Sequence, residues 1–247
     1  MKETLKLLNE MVQSGVISEF SISGAVAAIY YSEPMTTAVL DVFVSFPEGT
    51  RQASVATVLD DLREQGFHEF VQEGIMVHGV PVRFLPVTPG LSSEAHAHAI
   101  RAEYQSIPIR VVDKEYLMAT LLAVDRPEQL RRLLDFISRD DFDHARFDSI
   151  VDRHGLADQW KTIRHRFGIC EGYCPPAHSE SDPQPDLTTP MPHEALLQEC
   201  LKQKAATRNR LASLPFEEKI RLLVEMQKRA ANILAQRGVS RPVWPFP

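Results

Sequence analysis

The stretch SISGAVAAIYYSEPMTTAVLDVFVSF, residues 21–46, decides how the rest of the chain reads. It predicts a short strand ending at Ser23-Gly24, a brief Ala-rich helix to Tyr31, a break at Pro34 and an apolar strand over 38–46. One carboxylate, Asp41, stands inside that strand among Val39, Leu40, Val42, Phe43 and Val44. An acid in such a run is costly to bury unless a cation, a set of donors or a metal meets it. Small residues at 23–24 let the helix start lie close to the sheet or to a ligand.

Working outward, Leu5, Leu8, Met11 and Val12 share one face of an N-terminal helix that Gly15 ends. Downstream, Ser54 caps a helix to Gln65 that turns Val55, Val58, Leu59 and Leu62 inward. A strand over 67–71 and a hairpin of 74–78 with 80–87 about Gly79 follow. Ser92 opens a helix predicted to run to about Tyr104, with His96 and His98 in solvated positions. Two apart on a helix, those histidines point in different directions and make a poor metal pair. A strand over 107–112 is restricted by Pro108 to an edge or a strand start.

From Asp113 the pattern becomes helical, over 116–124, after Pro127, and over 143–154 and 156–166. Residues 175–192 hold six prolines and no apolar periodicity, which predicts a linker. Helices over 193–210 and 215–237 follow, then the extended strip SRPVWPFP. The predicted fold class is α+β, a mixed β-sheet with flanking helices and a C-terminal helical region. It divides into residues 1–168 (sheet part about 1–112, helical part about 113–168), a linker over 169–192 and a helical extension over 193–247.

The chain has 247 residues, 44% hydrophobic and 24% charged, with a net charge of -6. That charge excludes a whole-surface nucleic-acid binder, and no DNA-binding motif is present. No apolar run approaches the roughly 18 residues of a membrane span. The opening MKETLKLLNEMV lacks the apolar segment of a secretory signal. Three cysteines suggest a reducing compartment, so a cytoplasmic location is expected. Cys170, Cys174 and His178 have C-x3-C-x3-H spacing with His193 and Cys200 further on, but ordinary thiols near a linker are the simpler reading.

SISGAVAAIYYSEPMTTAVLDVFV resembles the signature of nucleotidyltransferase-fold proteins of the abortive-infection (AbiEii-type) and related uncharacterised groups. In that signature a Gly-Gly or Gly-Ser turn precedes a short helix, a Pro-Arg, a Thr and an Asp-x-Asp in a strand. Ser23-Gly24, Pro34, Thr37 and Asp41 stand at the turn, the proline, the threonine and the second aspartate. VRFLPVTPGLSSEAHAHAI, RVVDKEYLMATLLA, DRPEQLRRLL and RHGLADQW resemble the family's middle strand and trailing helices, so the likeness covers about residues 3–168. It implies a nucleotide at Ser23, Gly24 and Thr37, a helical rim at Arg126, and magnesium on carboxylates that share a sheet face. The resemblance also implies a toxin–antitoxin or defence-like setting.

The sequence departs from that signature where the metal would bind. Val39 stands at the first aspartate, Met35 at the arginine, Glu128-Gln129 where a Lys-Asp often follows an arginine, and Arg83 on or near the third acid. One carboxylate with an arginine beside it suits magnesium poorly, whereas Arg83 is placed to pair with Asp41. Three readings follow. The first is a catalytically lapsed nucleotidyltransferase kept for binding a nucleotide or a partner. The second is an active magnesium-dependent enzyme that uses a nucleoside triphosphate and recruits Asp60, Asp61 or Glu73 beside Asp41. The third is an interaction module that engages a protein partner through 193–247.

Overall fold

The computed structural model describes residues 1–47, 54–124, 133–134, 136–137, 141–167 and 192–245. Arg126, the Cys170–Cys174–His178 spacing and residues 175–191 of the proline-rich stretch lie outside the described residues. In chain order the elements are α1 (Lys2–Gln13), β1 (Glu19–Ser23), α2 (Gly24–Tyr31), β2 (Leu40–Ser45), α3 (Val55–Glu64), β3 (Phe70–Val71), β4 (Gly74–Val77) and β5 (Val80–Pro86). There follow α4 (Leu91–Ala97), β6 (Ile100–Tyr104), β7 (Ile107–Val111) and α5 (Lys114–Val124). The remaining helices are α6 (His144–Arg153), α7 (Ala157–Phe167), α8 (Pro192–Ala212) and α9 (Phe216–Ala235).

Among the described residues the strands form one mixed sheet in the order β3-β4-β5-β2-β1-β7-β6. β1 runs parallel to β7 and antiparallel to β2, and β2 runs parallel to β5. The last residues of β1 and β7 therefore meet the first residues of β2 and β5 at one end of the sheet. From that end α2 leaves β1 at once, and α5 leaves β7 after Val112 and Asp113. The fold is α+β, a mixed sheet with flanking helices, as the sequence pattern predicts.

α2 is apolar around its circumference, with Ala25, Val26, Ala27, Ala28 and Ile29 all buried. A helix of that kind needs cover on every side. The sheet supplies one side and α9 another. Ile220, Leu223 and Val224 of α9 are buried, and the Phe216 ring meets Tyr30 edge-on at 5.3 Å. Lys219 Nζ donates to the Tyr30 carbonyl at 2.9 Å, which lets a buried ammonium end on a backbone acceptor. Most of the apolar stripe of the last helix is thus covered inside this chain, although Ile233 is 58% exposed, and residues 201–210 of α8 are exposed as well.

The tail after α9 has no regular structure, yet Trp244 is 1% exposed. Its backbone N–H donates to Gln227 Oε1 at 2.9 Å, and its indole N–H donates to the Ala38 carbonyl at 3.1 Å. Gln227 Nε2 donates to the Thr37 carbonyl at 2.6 Å. The tail is a strap that binds the loop between α2 and β2. Those bonds also explain why β2 begins at Leu40 rather than at Ala38: the carbonyls of Thr37 and Ala38 are taken by side chains from the C-terminal region.

Two local expectations are corrected and a third is resolved. The helix opened near Ser92 stops at Ala97, and Ile100–Tyr104 is the edge strand β6. Residues Ile100, Ala102 and Tyr104 are the more buried alternate set, and a tight turn at Gln105 (φ 50°) and Ser106 (φ 63°) pairs β6 with β7. Strand period two prevailed over the helix-favouring alanines upstream. The strand expected over 67–71 shortens to Phe70–Val71, because the Phe67 N–H bonds back to the Leu62 carbonyl and closes α3. Of the two places expected for Pro108, an edge or a strand start, it takes the second: it is the second residue of β7, which lies inside the sheet. Pro108 is tolerated because β7 pairs with β1 only at Val111, so its missing N–H interrupts no ladder on that side.

Candidate functional site

The register places Ser23, Asp41 and Arg83 in one row across β1, β2 and β5. Ser23 is opposite Asp41, and Asp41 is opposite Arg83. Cross-strand partners project to one face of a sheet, so these three side chains share a face at the end from which α2 departs. Arg83 Nε donates to Asp41 Oδ1 at 2.7 Å, and Arg83 Nη1 bonds Glu73 at the start of β4. The Asp41 side chain is 13% exposed, that of Arg83 29% and that of Glu73 63%. Burial pulls the Arg83 guanidinium down, but the hydrogen bonds and charges of Asp41 and then Glu73 outweigh it and hold the pKa above its ordinary value.

The other carboxylate oxygen of Asp41 lies against the backbone of Gly24. A Cβ built on Gly24 would come 2.1 Å from Asp41 Oδ2, and the residue has φ +59°. Both the space and the dihedral require glycine there. The surface where a Gly-Ser turn would offer its backbone to phosphates is met by an internal carboxylate. Ser23 is buried and precedes α2 without a side-chain capping bond. Thr37 spends its hydroxyl on the Val39 carbonyl at 3.2 Å.

These donors do not fit a divalent cation. Asp41 faces a guanidinium, and Val39 offers nothing at the position one pleat away. Among the described residues no group of three or more His, Cys, Asp or Glu side chains is placed to hold a metal ion. Asp60 instead takes Arg63 at 2.6 Å, and Asp61 takes Gln65 at 2.8 Å, both along the exposed face of α3.

A second acidic pair lies where α5 leaves the sheet, and the reading of the sequence missed it. Arg146 of α6 reaches Asp113 at 3.2 Å and Glu115 at 3.4 Å. The Asp143 N–H donates to Glu115 Oε1 at 3.2 Å. Burial, and then the neighbouring Asp113, push the Glu115 carboxyl up. Its sequence signal was Asp113-Lys114-Glu115 at a helix start, two acids two residues apart.

The histidine expectation is also corrected. His96 is buried and its Nδ1 bonds Ser21 Oγ at 2.9 Å, while His98 stacks on Tyr116 at 5.0 Å between ring centroids. Burial, and then the Arg110 charge, push the His96 pKa below its ordinary 6.5, with Glu19 opposing. A depressed histidine contributes stability that is present above the unfolded value and lost as the pH falls from there through the folded one. Urea midpoints should therefore drop in wild type below about pH 6.5, and the difference from His96→Gln should shrink over the same range.

No protein-family model matches the chain, and no curated protein matches it in sequence. Among solved structures it is similar to the solution structure of the antibiotic-resistance factor ANT(2'')-Ia, with 14% identity, 68% of this chain and 91% of that chain covered, and a TM-score of 0.32. It is also similar to the crystal structure of ANT(2'')-Ia in complex with adenylyl-2''-tobramycin, with 13% identity, 66% and 98% covered, and a TM-score of 0.33.

Proposed function

We propose that this protein is a nucleotidyltransferase-superfamily member whose metal site has lapsed and whose fold is retained to bind a nucleotide or a protein partner. The observation that carries the reading is the Arg83–Asp41 bond at 2.7 Å. It puts a fixed cation on the one carboxylate that the signature keeps, on the sheet face where a metal would sit. Two-metal chemistry needs at least two carboxylates held toward the same ions, and here the second position on β2 is Val39. Ser23, Gly24 and Thr37 are the residues assigned to nucleotide contact. A toxin–antitoxin or defence-like setting is part of the same reading and rests on the resemblance of residues 3–168.

Incubation with labelled ATP, GTP, CTP or UTP, with and without magnesium, tests the lapse. The expected result is no metal-dependent transfer to the protein, to RNA or to an added small molecule, with any nucleotide binding insensitive to magnesium. Magnesium-dependent incorporation that Asp41→Asn abolishes would instead establish an active nucleotidyltransferase.

Stability separates the two partners. Arg83→Ala leaves the Asp41 carboxylate largely buried beside Gly24 without its cation, which should cost about 1–3 kcal/mol, a discounted fraction of a fully buried pair. Asp41→Asn leaves Arg83 its exposed partner Glu73, so it should cost less than Arg83→Ala. Denaturant midpoints of the two variants give the order, and the reverse order would mean that Arg83 depends on Asp41 rather than the other way round.

A further inference from the structure

The cleft between α4, α5 and α6 has a volume of about 330 Å³ and is lined by Glu94, His98, Tyr116, Arg146, Ser149 and Arg153. It shares no lining residue with the row of Ser23, Asp41 and Arg83. α6 supplies Arg146, Ser149 and Arg153, at positions i, i+3 and i+7, which stand on one stripe of a helix. Opposite them, α5 supplies the Tyr116 ring, and the exposed His98 imidazole, on the residue that follows α4, stacks on it with 11° between planes. The Arg146 guanidinium lies 5.6 Å from the centre of the same Tyr116 ring.

The hydrogen-bonding capacity of this cleft is unevenly spent. Arg153 uses Nη2 alone, donating to Glu94 Oε2 at 2.8 Å and to Tyr116 Oη at 3.2 Å. Glu94 Oε2 also accepts from Tyr116 Oη at 3.2 Å and lies 3.2 Å from His154 Nε2. That knot of bonds orients Arg153 and leaves its Nε and Nη1 with no bond to another described residue. Arg146 commits Nη1 and Nη2 to Asp113 and Glu115 and keeps Nε. Ser149 is exposed and its hydroxyl bonds no other described residue. The unspent groups are therefore mostly donors, on two guanidinium groups and a hydroxyl, beside an aromatic platform. An acceptor-rich anion attached to a flat ring matches that inventory, because each unspent N–H and the hydroxyl can donate to a separate oxygen of a phosphoryl group.

We propose that this cleft binds a small molecule carrying a phosphoryl group next to an aromatic heterocycle. Arg153 and Ser149 take the phosphoryl oxygens, with the Arg146 Nε beside them. The heterocycle lies on the His98 imidazole, whose other face is occupied by Tyr116. Glu94 holds Arg153 in place and does not touch the ligand. The site shares no residue with the Asp41 row, although α5 leaves the same end of the sheet, so the proposal does not rest on the lapsed-enzyme reading.

Titration calorimetry with 5′-AMP, adenosine and inorganic phosphate tests it, together with amide shift mapping by NMR. The expected result is that AMP binds at least about tenfold more tightly than adenosine and than phosphate, with an affinity that falls as salt rises. Arg153→Gln should lose about tenfold and Ser149→Ala about threefold of the AMP affinity, while Arg63→Gln on the exposed face of α3 leaves it unchanged. Arg153 is half exposed, so Arg153→Gln is expected to fold, and its circular dichroism checks this directly. Perturbed amides should cluster at 94–98, 116 and 146–153. Equal AMP affinity in wild type and the Arg153→Gln, Ser149→Ala double variant would overturn the proposal. So would shifts confined to 22–25 and 40–42, which would instead place the nucleotide in the Asp41 row. No binding of any probe at about 10 mM, a concentration at which even a weak millimolar site fills, would overturn it as well.

Discussion

Trp244→Ala should unfold this protein at markedly lower denaturant, with a loss of about 3–5 kcal/mol, the range for truncating a large buried aromatic. The indole is 1% exposed and belongs to the same core as Leu40, Val82 and Leu223. Removing it opens a cavity that the extended strap around it cannot easily fill, since Pro242 and Pro245 fix the backbone on either side. Two hydrogen bonds set the geometry. The indole N–H donates to the Ala38 carbonyl, and the Trp244 backbone N–H donates to Gln227 Oε1. Trp244→Phe keeps most of the apolar volume and orphans only the Ala38 carbonyl, so it should cost roughly 1–3 kcal/mol. Unfolding curves followed by far-ultraviolet circular dichroism give both values. If Trp244→Ala shifts the midpoint no more than a surface substitution does, the strap is not part of the core. A chain ending at Arg237 provides the complementary measurement and should resemble Trp244→Ala.

The strap also shows which features could be read in advance. Helix and strand periods were legible wherever they ran for two turns or three pleats, as in Leu5-Leu8-Met11 and Val80–Pro86. The hairpin about Gly79 was legible from a glycine between two β-branched runs. β6 was not, because Ser92-Ser93-Glu94 is a strong helix start and alanines at 95, 97 and 99 favour continuing it. Only pairing with β7 selects the extended form. The destination of Trp244 was not legible either. An extended Pro-rich strip has no period, and the Trp244 indole bonds a carbonyl 206 residues earlier in the chain, a distance that no local pattern encodes. In the candidate site, Asp41 was conspicuous as a charge in an apolar strand. Arg83 was conspicuous as a cation at the corresponding point of the next parallel strand. Their pairing needed only the register. Glu73 was legible only as one of three acids that could join Asp41, and its bond to Arg83 depends on a turn. Glu115 and the buried His96 depend on helix packing, so sequence spacing passed over the first and assigned the second to solvent.

Gly24→Ala should be the most damaging single-methyl change in the chain, costing about 2–4 kcal/mol from overpacking and a left-handed backbone together. The added Cβ would lie 2.1 Å from Asp41 Oδ2, 2.9 Å from its Cγ and 3.0 Å from its Cβ. Neither side can retreat freely. Asp41 is tied to Arg83 at 2.7 Å, and Gly24 is the first residue of a helix whose next five residues are buried. A double-variant cycle with Asp41→Ala apportions the cost. Asp41→Ala removes the two closest clashing atoms but leaves the φ of +59°, so in that background Gly24→Ala should cost only about 1–2 kcal/mol, the backbone share. The coupling between the two sites should then be about 1–2 kcal/mol, well above what independent positions show. A coupling near zero would mean that the close approach of Asp41 is relieved elsewhere and the glycine serves the turn alone. The same cycle bears on the proposed lapse. A phosphate seated on the Gly24 backbone would have to displace the Asp41 carboxylate from the volume the alanine methyl would invade. Asp41→Ala is therefore the background in which nucleotide binding at Ser23-Gly24 should be strongest, and in which adding Gly24→Ala should abolish it.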